Sequence, residues 1–264
     1  MSAQYRTLLI SKPEDHVVVV TMNRPESSNA MNTQMGHDLM NWFEEITLDP
    51  ADARCIVLTG TGEKAFCAGG DLKERKGMTD EVWKSQHVVF ERMLRAVMGC
   101  PVPILGAVNG VAYGGGTEIA AACDFLYAAE HARFALTEVT LGIMPGCGGT
   151  QNLPRAVGER RAKEIVLTGR PFSAAEAADW GLVNRVLPAA ELMTTAIATA
   201  SAIARNAPIS VRQAKHAIHH GLQMSLMDAL AFEIEAYNRT VPSEDRREGI
   251  LAFNEKRRPV FRGR

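Results

Sequence analysis

The sequence has no excess of charge of either sign. Its 264 residues include 29 lysines and arginines against 30 aspartates and glutamates, and charge runs such as "SEDRREG" mix both signs. Proteins that bind nucleic acids or membrane surfaces usually carry clustered positive charge. We therefore expect no nucleic-acid partner and no membrane association.

The sequence also has no paired cysteines. Its five cysteines are odd in number, widely spread and never arranged as C-x-x-C, a pattern typical of free thiols in a reducing compartment. The start "MSAQYRTLLI" has no basic segment followed by an apolar stretch, so we expect no secretory signal and a cytoplasmic location.

Long apolar runs are absent, with one exception. Residues 96–117 carry no charged side chain and are nominally long enough to span a bilayer. This stretch holds Pro101, Pro103 and six glycines, which favours buried strands and turns instead. With 46% hydrophobic residues, the chain can form a substantial core, as one large domain or a domain with an appendage.

A strand, a glycine-rich loop and a helix follow one another twice. The first unit is "RCIVLTG", the loop "TGEKAFCAGGDL" and a helix around residues 80–98; the second begins with "PVPILGAVNG". An earlier strand, "HVVVVTMNRP", precedes a helix that Asn32 should cap. This alternation predicts an α/β core with parallel strands and helical crossovers.

The last quarter of the chain reads as almost purely helical from about residue 189, after a short strand "LVNRVL". Asn206 and Pro208 mark one helix start and Pro242 another. This region is too small to form a hydrophobic core of its own, so we expect it to pack on the rest of the chain or on another subunit.

The segment "VNGVAYGGGTEIAAACD" (108–124) places three glycines before a helix that carries Glu118. A helix start can bind phosphate, but no Lys-Ser/Thr pair follows, and Ile119 stands where a dinucleotide site needs glycine. An anion formed during a reaction, such as a thioester enolate, fits better, with the loop "FCAGGD" supplying a second N–H donor. A tight turn with an ordinary helix-start glutamate remains the structural alternative.

Three long motifs resemble the enoyl-CoA hydratase (crotonase) superfamily, in this order and spacing: "KAFCAGGDLKER", "VNGVAYGGGTEIAAACD" and "FALTEVTLGIMPGCGGTQNLPRAVG". The similarity extends to "LTGRPFSAAEAADWGLVNRVLP" and "EKRRPVF". It implies an α/β spiral of repeated ββα units over residues 1–198. It also implies a helical region over 199–264 that builds trimers, usually paired into hexamers.

The resemblance also implies roles for individual residues. The backbone N–H groups of Gly70 and Gly115 would form an oxyanion hole, Glu118 and Glu138 would be the two catalytic carboxylates, and Gly146 would help to place the water.

The segment "RPESSNAMN" matches the part that borders CoA in the family, with Ala30 and Met31 near the adenine and Ala68 beside them. Lys73 and Lys256 are candidate phosphate partners, although exposed lysines are often merely solvated. No metal or redox cofactor is implied, since CoA is part of the substrate.

Hydration of a 2-enoyl thioester needs one group to take a proton from water and another to give one to C2. Two carboxyl groups in one pocket disfavour double ionisation, so one can act as base and one as acid. We expect Glu118 to activate water and Glu138 to handle the C2 proton; a concerted exchange through one water would make these roles inseparable.

Other functions stay open. An enoyl-CoA isomerase needs only one carboxylate, and Glu118 argues against it. "DLKER" followed by Met78 also resembles methylglutaconyl-CoA hydratases, some of which are described as RNA-binding. The balanced charge weighs against an RNA-binding protein on this scaffold.

Several other residue patterns are expected to be structural. His216, His219 and His220 lie at helical spacing without a nearby carboxylate, which favours a solvated helix face over a metal site. Cys67 and Cys147 should be packing residues in the loops. Asp71 should cap the helix that follows it, and Asp124 should be a turn residue.

Overall fold

A computed structural model describes residues 5–264. We expected no secretory signal at the start of the chain. The first four residues of that segment lie outside the described residues. Within residues 5–264, no helix has both the length and the apolar character needed to cross a bilayer. The uncharged stretch 96–117 forms the end of one helix, two strands and the start of another helix, as predicted.

Six strands form the first sheet: β1 (Leu8–Glu14), β2 (Val17–Met22), β3 (Cys55–Gly60), β5 (Ile104–Val108), β7 (Phe125–Ala129) and β10 (Arg185–Leu187). Their order is β1-β2-β3-β5-β7-β10. All neighbours are parallel except β1 and β2. Every residue of β3 and β5 is buried, which is typical of parallel strands covered on both faces.

Four shorter strands form the second sheet: β4 (Ala65–Cys67), β6 (Val111–Tyr113), β8 (Arg133–Ala135) and β9 (Phe172–Ser173). Their order is β4-β6-β8-β9. The first three are parallel and β9 is antiparallel to β8.

The helices of residues 5–264 are α1 (Thr33–Leu48), α2 (Leu72–Arg75), α3 (Asp80–Gly99), α4 (Gly115–Ala122), α5 (Gly149–Val157), α6 (Glu159–Thr168), α7 (Ala174–Asp179), α8 (Ala189–Ala204), α9 (Pro208–Gly221), α10 (Leu226–Asn238) and α11 (Glu244–Asn254). Short 3-10 turns occur at Pro25–Ser27 and Glu138–Leu141. The side chain of Asn32 accepts a 2.9 Å hydrogen bond from the Met35 N–H and caps α1, as predicted.

The predicted repeat is confirmed and occurs once more than the sequence indicated. β3, β4 and α3 form one unit, β5, β6 and α4 the next, and β7, β8 and α5 a third. Each unit contributes one strand to each sheet. The chain therefore advances as a spiral in which equivalent loops stack beside one another.

The C-terminal region is helical, as expected. α8 packs across β2, β3, β5 and β7, so residue 198, where we expected the core to end, lies inside a helix of the body. α9 begins at Pro208, and α11 begins at Glu244 after the cap residue Ser243. α9 packs against α10, and both helices keep large apolar side chains exposed.

Candidate active site

Three loops meet at one edge of the second sheet. β4, β6 and β8 are parallel neighbours, so their carboxyl ends lie at the same edge. The loops that follow them carry Gly70, Gly115 and Glu138, respectively. The first two loops are in close contact, because a Cβ atom on Gly69 would lie 3.4 Å from the backbone nitrogen of Gly115.

Strand-like pairing orients the N–H group of Gly70. Met31 N–H donates to the Gly69 carbonyl (2.7 Å), and Asp71 N–H donates to the Met31 carbonyl (2.9 Å). These bonds engage the carbonyl of Gly69 and the N–H of Asp71, the residues on either side of Gly70. Because successive N–H groups of extended backbone point to opposite sides, that of Gly70 points away from Met31.

The Gly115 N–H lies at the first position of α4, where backbone donors have no acceptor inside the helix. The preceding residue, Gly114, adopts φ +51° and ψ −123°, a conformation that favours glycine. Gly116 lets α4 approach β4, because a Cβ atom there would lie 2.0 Å from the Cys67 carbonyl oxygen. The glycine run thus serves both a turn and a close contact.

Glu118 is buried and held in one orientation. Its Oε1 accepts hydrogen bonds from the N–H groups of Cys147 (2.7 Å) and Gly149 (2.8 Å), and the side chain is 3% exposed. Burial raises the pKa of Glu118 to about 7, and the nearby charge of Glu138 acts in the same direction. The two N–H donors and Arg75 oppose this rise. Glu118 can therefore change protonation state near neutral pH.

Glu138 lies on the other side of the same turn. Its Oε1 lies 3.1 Å from the position that a Cβ atom on Gly114 would take. Burial raises the pKa of Glu138 above its usual range, against the opposing effects of its own N–H and Arg75. Its Oε2 is buried and has no hydrogen-bond partner among residues 5–264. An unpaired buried oxygen costs about 1–3 kcal/mol, which is tolerated where a substrate is to bind.

A cavity of about 640 Å³ joins these groups. Seven of the ten predicted site residues line it: Met31, Ala68, Gly70, Gly115, Glu118, Glu138 and Gly146. Ala30 is buried next to Met31 but does not line the cavity. Lys73 and Lys256 are exposed and also lie outside its lining, so this single chain does not bring them to the carboxylates.

Gly146 lies on the loop before α5, against His87 of α3. The Nε2 atom of His87 is 3.0 Å from the Gly146 carbonyl oxygen. A Cβ atom on Gly146 would lie 2.5 Å from the imidazole ring, so only glycine fits this contact without moving His87.

Several residues of the cavity were not predicted. Arg75, Trp83 and His87 line it, and the N–H groups of Cys147 and Gly149 orient Glu118. Arg75 belongs to the motif "DLKER", which was visible in the sequence. Trp83 and His87 of α3 could not be predicted from local sequence, because their position in the cavity depends on how that helix packs.

The residues expected to be structural behave largely as predicted. The Asp71 carboxylate caps α2 by accepting from the N–H groups of Lys73 (3.0 Å) and Glu74 (3.2 Å). Cys147 is buried, with a pKa raised by burial, and its thiol donates to the Phe90 carbonyl. Asp124 accepts from the Ile104 N–H and pairs with Lys215 (2.7 Å), so it does more than form a turn.

The expectation of a solvated face for His216 and His219 is only partly correct. Both side chains are half-buried, and the ring of His216 packs against Phe232 at 5.1 Å between centroids. Within the described chain, no group of three or more His, Cys, Asp or Glu side chains is placed to hold a metal ion.

Solved structures share this fold along almost the whole chain. Enoyl-CoA hydratase from Bacillus anthracis has a TM-score of 0.96 and 44% identity, covering 98% of this chain and 100% of that one. Enoyl-CoA hydratase from Mycobacterium smegmatis has a TM-score of 0.90 and 32% identity, covering 97% and 98%. The fold is therefore the crotonase α/β fold that the motifs indicated.

The sequence comparisons agree. A family model described as enoyl-CoA hydratase/isomerase matches residues 12–264. YngF of Bacillus subtilis (strain 168), which carries an enoyl-CoA hydratase/isomerase name, is 46% identical over 258 residues, 97% of this chain and 98% of YngF. The short-chain-enoyl-CoA hydratase of Clostridium acetobutylicum is 41% identical over 250 residues, 95% of each chain. This chain belongs to the enoyl-CoA hydratase/isomerase family.

Proposed function

We propose that this protein adds water across the C2=C3 bond of a 2-enoyl-CoA thioester and forms a 3-hydroxyacyl-CoA. One observation carries the proposal: two buried carboxylates, both with raised pKa, flank the Gly114–Gly115 turn inside one cavity. A hydratase needs a base and an acid on the same substrate, and such a pair can supply both. The name of the Clostridium acetobutylicum relative supports the same reaction.

The thioester oxygen would bind between the N–H groups of Gly70 and Gly115. Water attack at C3 moves negative charge onto this oxygen, and fixed N–H donors stabilise that charge more than they stabilise the neutral carbonyl. Removing one such donor typically costs about 3–4 kcal/mol of transition-state stabilisation. No metal or redox cofactor takes part in this scheme.

Glu118 would be the base that activates water. Its Oε1 is occupied by two N–H donors, which leaves Oε2 to face the cavity. Gly146, on the loop with these donors, would help to place the water. Glu138, whose Oε2 has no partner in the described part of the chain, would deliver the proton to C2.

The CoA portion would leave the cavity past Met31 and Ala68, with Ala30 beside them. Lys73 follows Leu72, a residue of the cavity lining, and is our first phosphate partner. Lys256, on the exposed turn after α11, is the second. Lys73→Ala and Lys256→Ala should each raise KM with little change in kcat, because they remove binding that is equal in ground and transition states.

We also propose that the protein forms trimers or hexamers through its C-terminal helices. Exposed apolar side chains on α9, at the residue after it and on α10 include Ile218, Leu222, Leu226, Leu230 and Ile234. An exposed apolar face of this kind favours burial against another subunit. Light scattering should give three or six times the mass of one chain, and a monomer would contradict the proposal.

The activity test is the loss of conjugated absorbance of 2-enoyl-CoA thioesters of increasing chain length. Glu118→Gln and Glu138→Gln should each lower kcat by roughly 10²–10⁴-fold, the usual contribution of a general acid or base. Glu130→Gln, at an exposed turn between β7 and β8, is the matched control and should keep parental activity. Near-parental turnover in either cavity variant would contradict the two-carboxylate scheme.

An isomerase is tested by following the same absorbance with 3-enoyl-CoA as the substrate. It would convert 3-enoyl-CoA into the conjugated 2-enoyl thioester, so absorbance would rise and no 3-hydroxyacyl product would form. Product analysis by mass therefore separates the two reactions, because hydration alone adds the mass of water.

A further inference from the structure

Arg75 places a cation inside the cavity, beside the proposed thioester site. It is the last residue of α2 and is half-buried. Its guanidinium lies against Gly70: a Cβ atom on that glycine would be 3.3 Å from Cζ and from Nη1 of Arg75. A thioester held at the Gly70 N–H would therefore have the guanidinium within reach of a short acyl chain.

Neighbouring side chains fix the guanidinium in place. Its Nε donates a 2.8 Å hydrogen bond to Oε1 of Gln86, which is itself buried. Gln86 in turn donates to Glu74 (2.7 Å) and to Thr33 (2.8 Å), so its orientation is determined. The guanidinium also packs over the ring of Trp83, at 4.4 Å from the centroid. The fork of terminal nitrogens is thus preorganised.

This cation forms no direct ion pair among the described residues. Within residues 5–264, no carboxylate oxygen lies within 4.0 Å of the Arg75 nitrogens, and the only side-chain hydrogen bond of the guanidinium goes to a neutral amide. Burial lowers the pKa of Arg75, which expresses the cost of removing its charge from water. The negative charge of Glu74, which binds the same Gln86 side chain, opposes this shift most strongly, and Glu118 and Glu138 act in the same direction more weakly. A half-buried, ordered cation that no carboxylate contacts directly is suited to an anion that arrives with a ligand.

We propose that Arg75 binds a second carboxylate on the acyl group, so that the preferred substrate is a 2-enoyl-CoA whose acyl chain ends in a carboxylate. This inference rests on the proposed function. A planar fork of two terminal nitrogens matches the two oxygens of a carboxylate, whereas the single enolate oxygen is served by the two backbone N–H groups. A cation at this position also offsets the repulsion that an arriving carboxylate would meet from ionised Glu118.

Lys84 is the other cation of the cavity lining, and it gives the matched control. It lies on α3 next to Trp83, is exposed, and carries a flexible ammonium that water can solvate. A solvated lysine at the mouth contributes little to selectivity. Discrimination for a carboxylate should therefore depend on Arg75 and not on Lys84.

The kinetic test compares two thioesters of equal chain length, pent-2-enoyl-CoA and its ω-carboxylate, glutaconyl-CoA. The parental protein should have the higher kcat/KM for glutaconyl-CoA. Arg75→Gln should lower this value roughly 100-fold for glutaconyl-CoA and only a few-fold for pent-2-enoyl-CoA, as expected when a site loses its partner for a charged group. Arg75→Lys should give an intermediate loss, and Lys84→Gln should leave the ratio of the two substrates unchanged.

A binding test separates this proposal from the proposed reaction. Glutaryl-CoA and pentanoyl-CoA are saturated probes that cannot be hydrated, and calorimetry should show tighter binding of glutaryl-CoA to the parental protein but not to Arg75→Gln. Equal binding of the two probes, or equal losses on both substrates in Arg75→Gln, would overturn the role of Arg75. If glutaryl-CoA binds preferentially and no 2-enoyl-CoA is hydrated, the hydratase assignment fails while the carboxylate site stands.

Discussion

The backbone nitrogen of Gly149 lies 2.8 Å from Oε1 of Glu118. This bond joins the first residue of α5 to a carboxylate on α4, and the Cys147 N–H binds the same oxygen. One oxygen of Glu118 is thereby fixed, and the rotation of the carboxylate is restricted. The remaining oxygen keeps a defined direction toward the cavity even before a substrate binds.

The pH dependence of stability should report the burial of Glu118. Its pKa rises from 4.5 when unfolded to about 7 when folded, so the unfolded chain loses this proton first as pH increases. The free energy of unfolding therefore contains a contribution that is present below pH 4.5 and is lost between about pH 4.5 and 7, on the order of 3 kcal/mol. Glu118→Gln should remove it.

Urea denaturation at pH 5 and pH 8 measures this effect. Glu118→Gln should be more stable than the parental protein at pH 8, and the difference should shrink at pH 5. The exposed Glu130→Gln variant should follow the parental curve at both values. Parallel curves for all three proteins would show that Glu118 does not titrate as proposed.

The pH dependence of activity should show an acid limb near neutrality. A base must be ionised to accept a proton from water, and the pKa of Glu118 is about 7. We expect kcat/KM for a 2-enoyl-CoA to fall tenfold per pH unit well below that value. Initial rates between pH 5 and 9 provide the measurement, and a flat profile down to pH 5 would exclude Glu118 as the free enzyme's base.

Gly116→Ala should be severely destabilising. The added Cβ atom would lie 2.0 Å from the backbone oxygen of Cys67, which cannot move away as a side-chain end can. The expected loss is about 3 kcal/mol or more, at the upper end of what overpacking of a core usually costs. Gly99→Ala, at the end of α3, is the control: a Cβ atom there meets no atom within 4 Å, so its stability should change by less than about 1 kcal/mol. Thermal unfolding of the two variants gives the comparison, and similar melting temperatures would contradict it.

Asp71 should contribute through both a cap and an ion pair. Its carboxylate caps α2 and lies 2.9 Å from Nη2 of Arg24, with both side chains mostly buried. Asp71→Ala loses both interactions and should cost about 2–4 kcal/mol, whereas Asp71→Asn keeps a capping oxygen and should cost about half as much. Because the pKa of Asp71 is lowered, its contribution should weaken as pH falls below about 4. Equal destabilisation by both substitutions, measured by urea denaturation, would show that the cap contributes nothing.

The fold was predictable because its signals are local. The strands are short apolar runs such as Cys55–Gly60, the loops that follow them are marked by glycine, and Asn32 caps α1 as its position indicated. The two glycine-rich loops could be paired because both follow strands of equivalent units, and the family resemblance indicated Gly70 and Gly115 within them. The third unit was less visible, because β7 and β8 are followed by a 3-10 turn and only later by a helix.

The site was predictable only in part, because long-range packing determines the rest. The motifs identified Glu118 and Glu138, but not the N–H groups of Cys147 and Gly149 that orient Glu118. Arg75 was within a quoted motif, yet its burial depends on contacts with Gln86 and Trp83 of α3. No sequence pattern predicts such contacts, because they depend on how α2 and α3 pack against each other.

The loops after β4 and β6 follow adjacent, hydrogen-bonded strands. The distance between the N–H groups of these two loops is therefore set by backbone geometry and not by any side chain. Under our proposal, substrate preference depends instead on side chains of α2 and α3 that line the cavity. Substitutions at Arg75 or Trp83 should therefore change which acyl groups are accepted, while the two backbone N–H groups keep their positions.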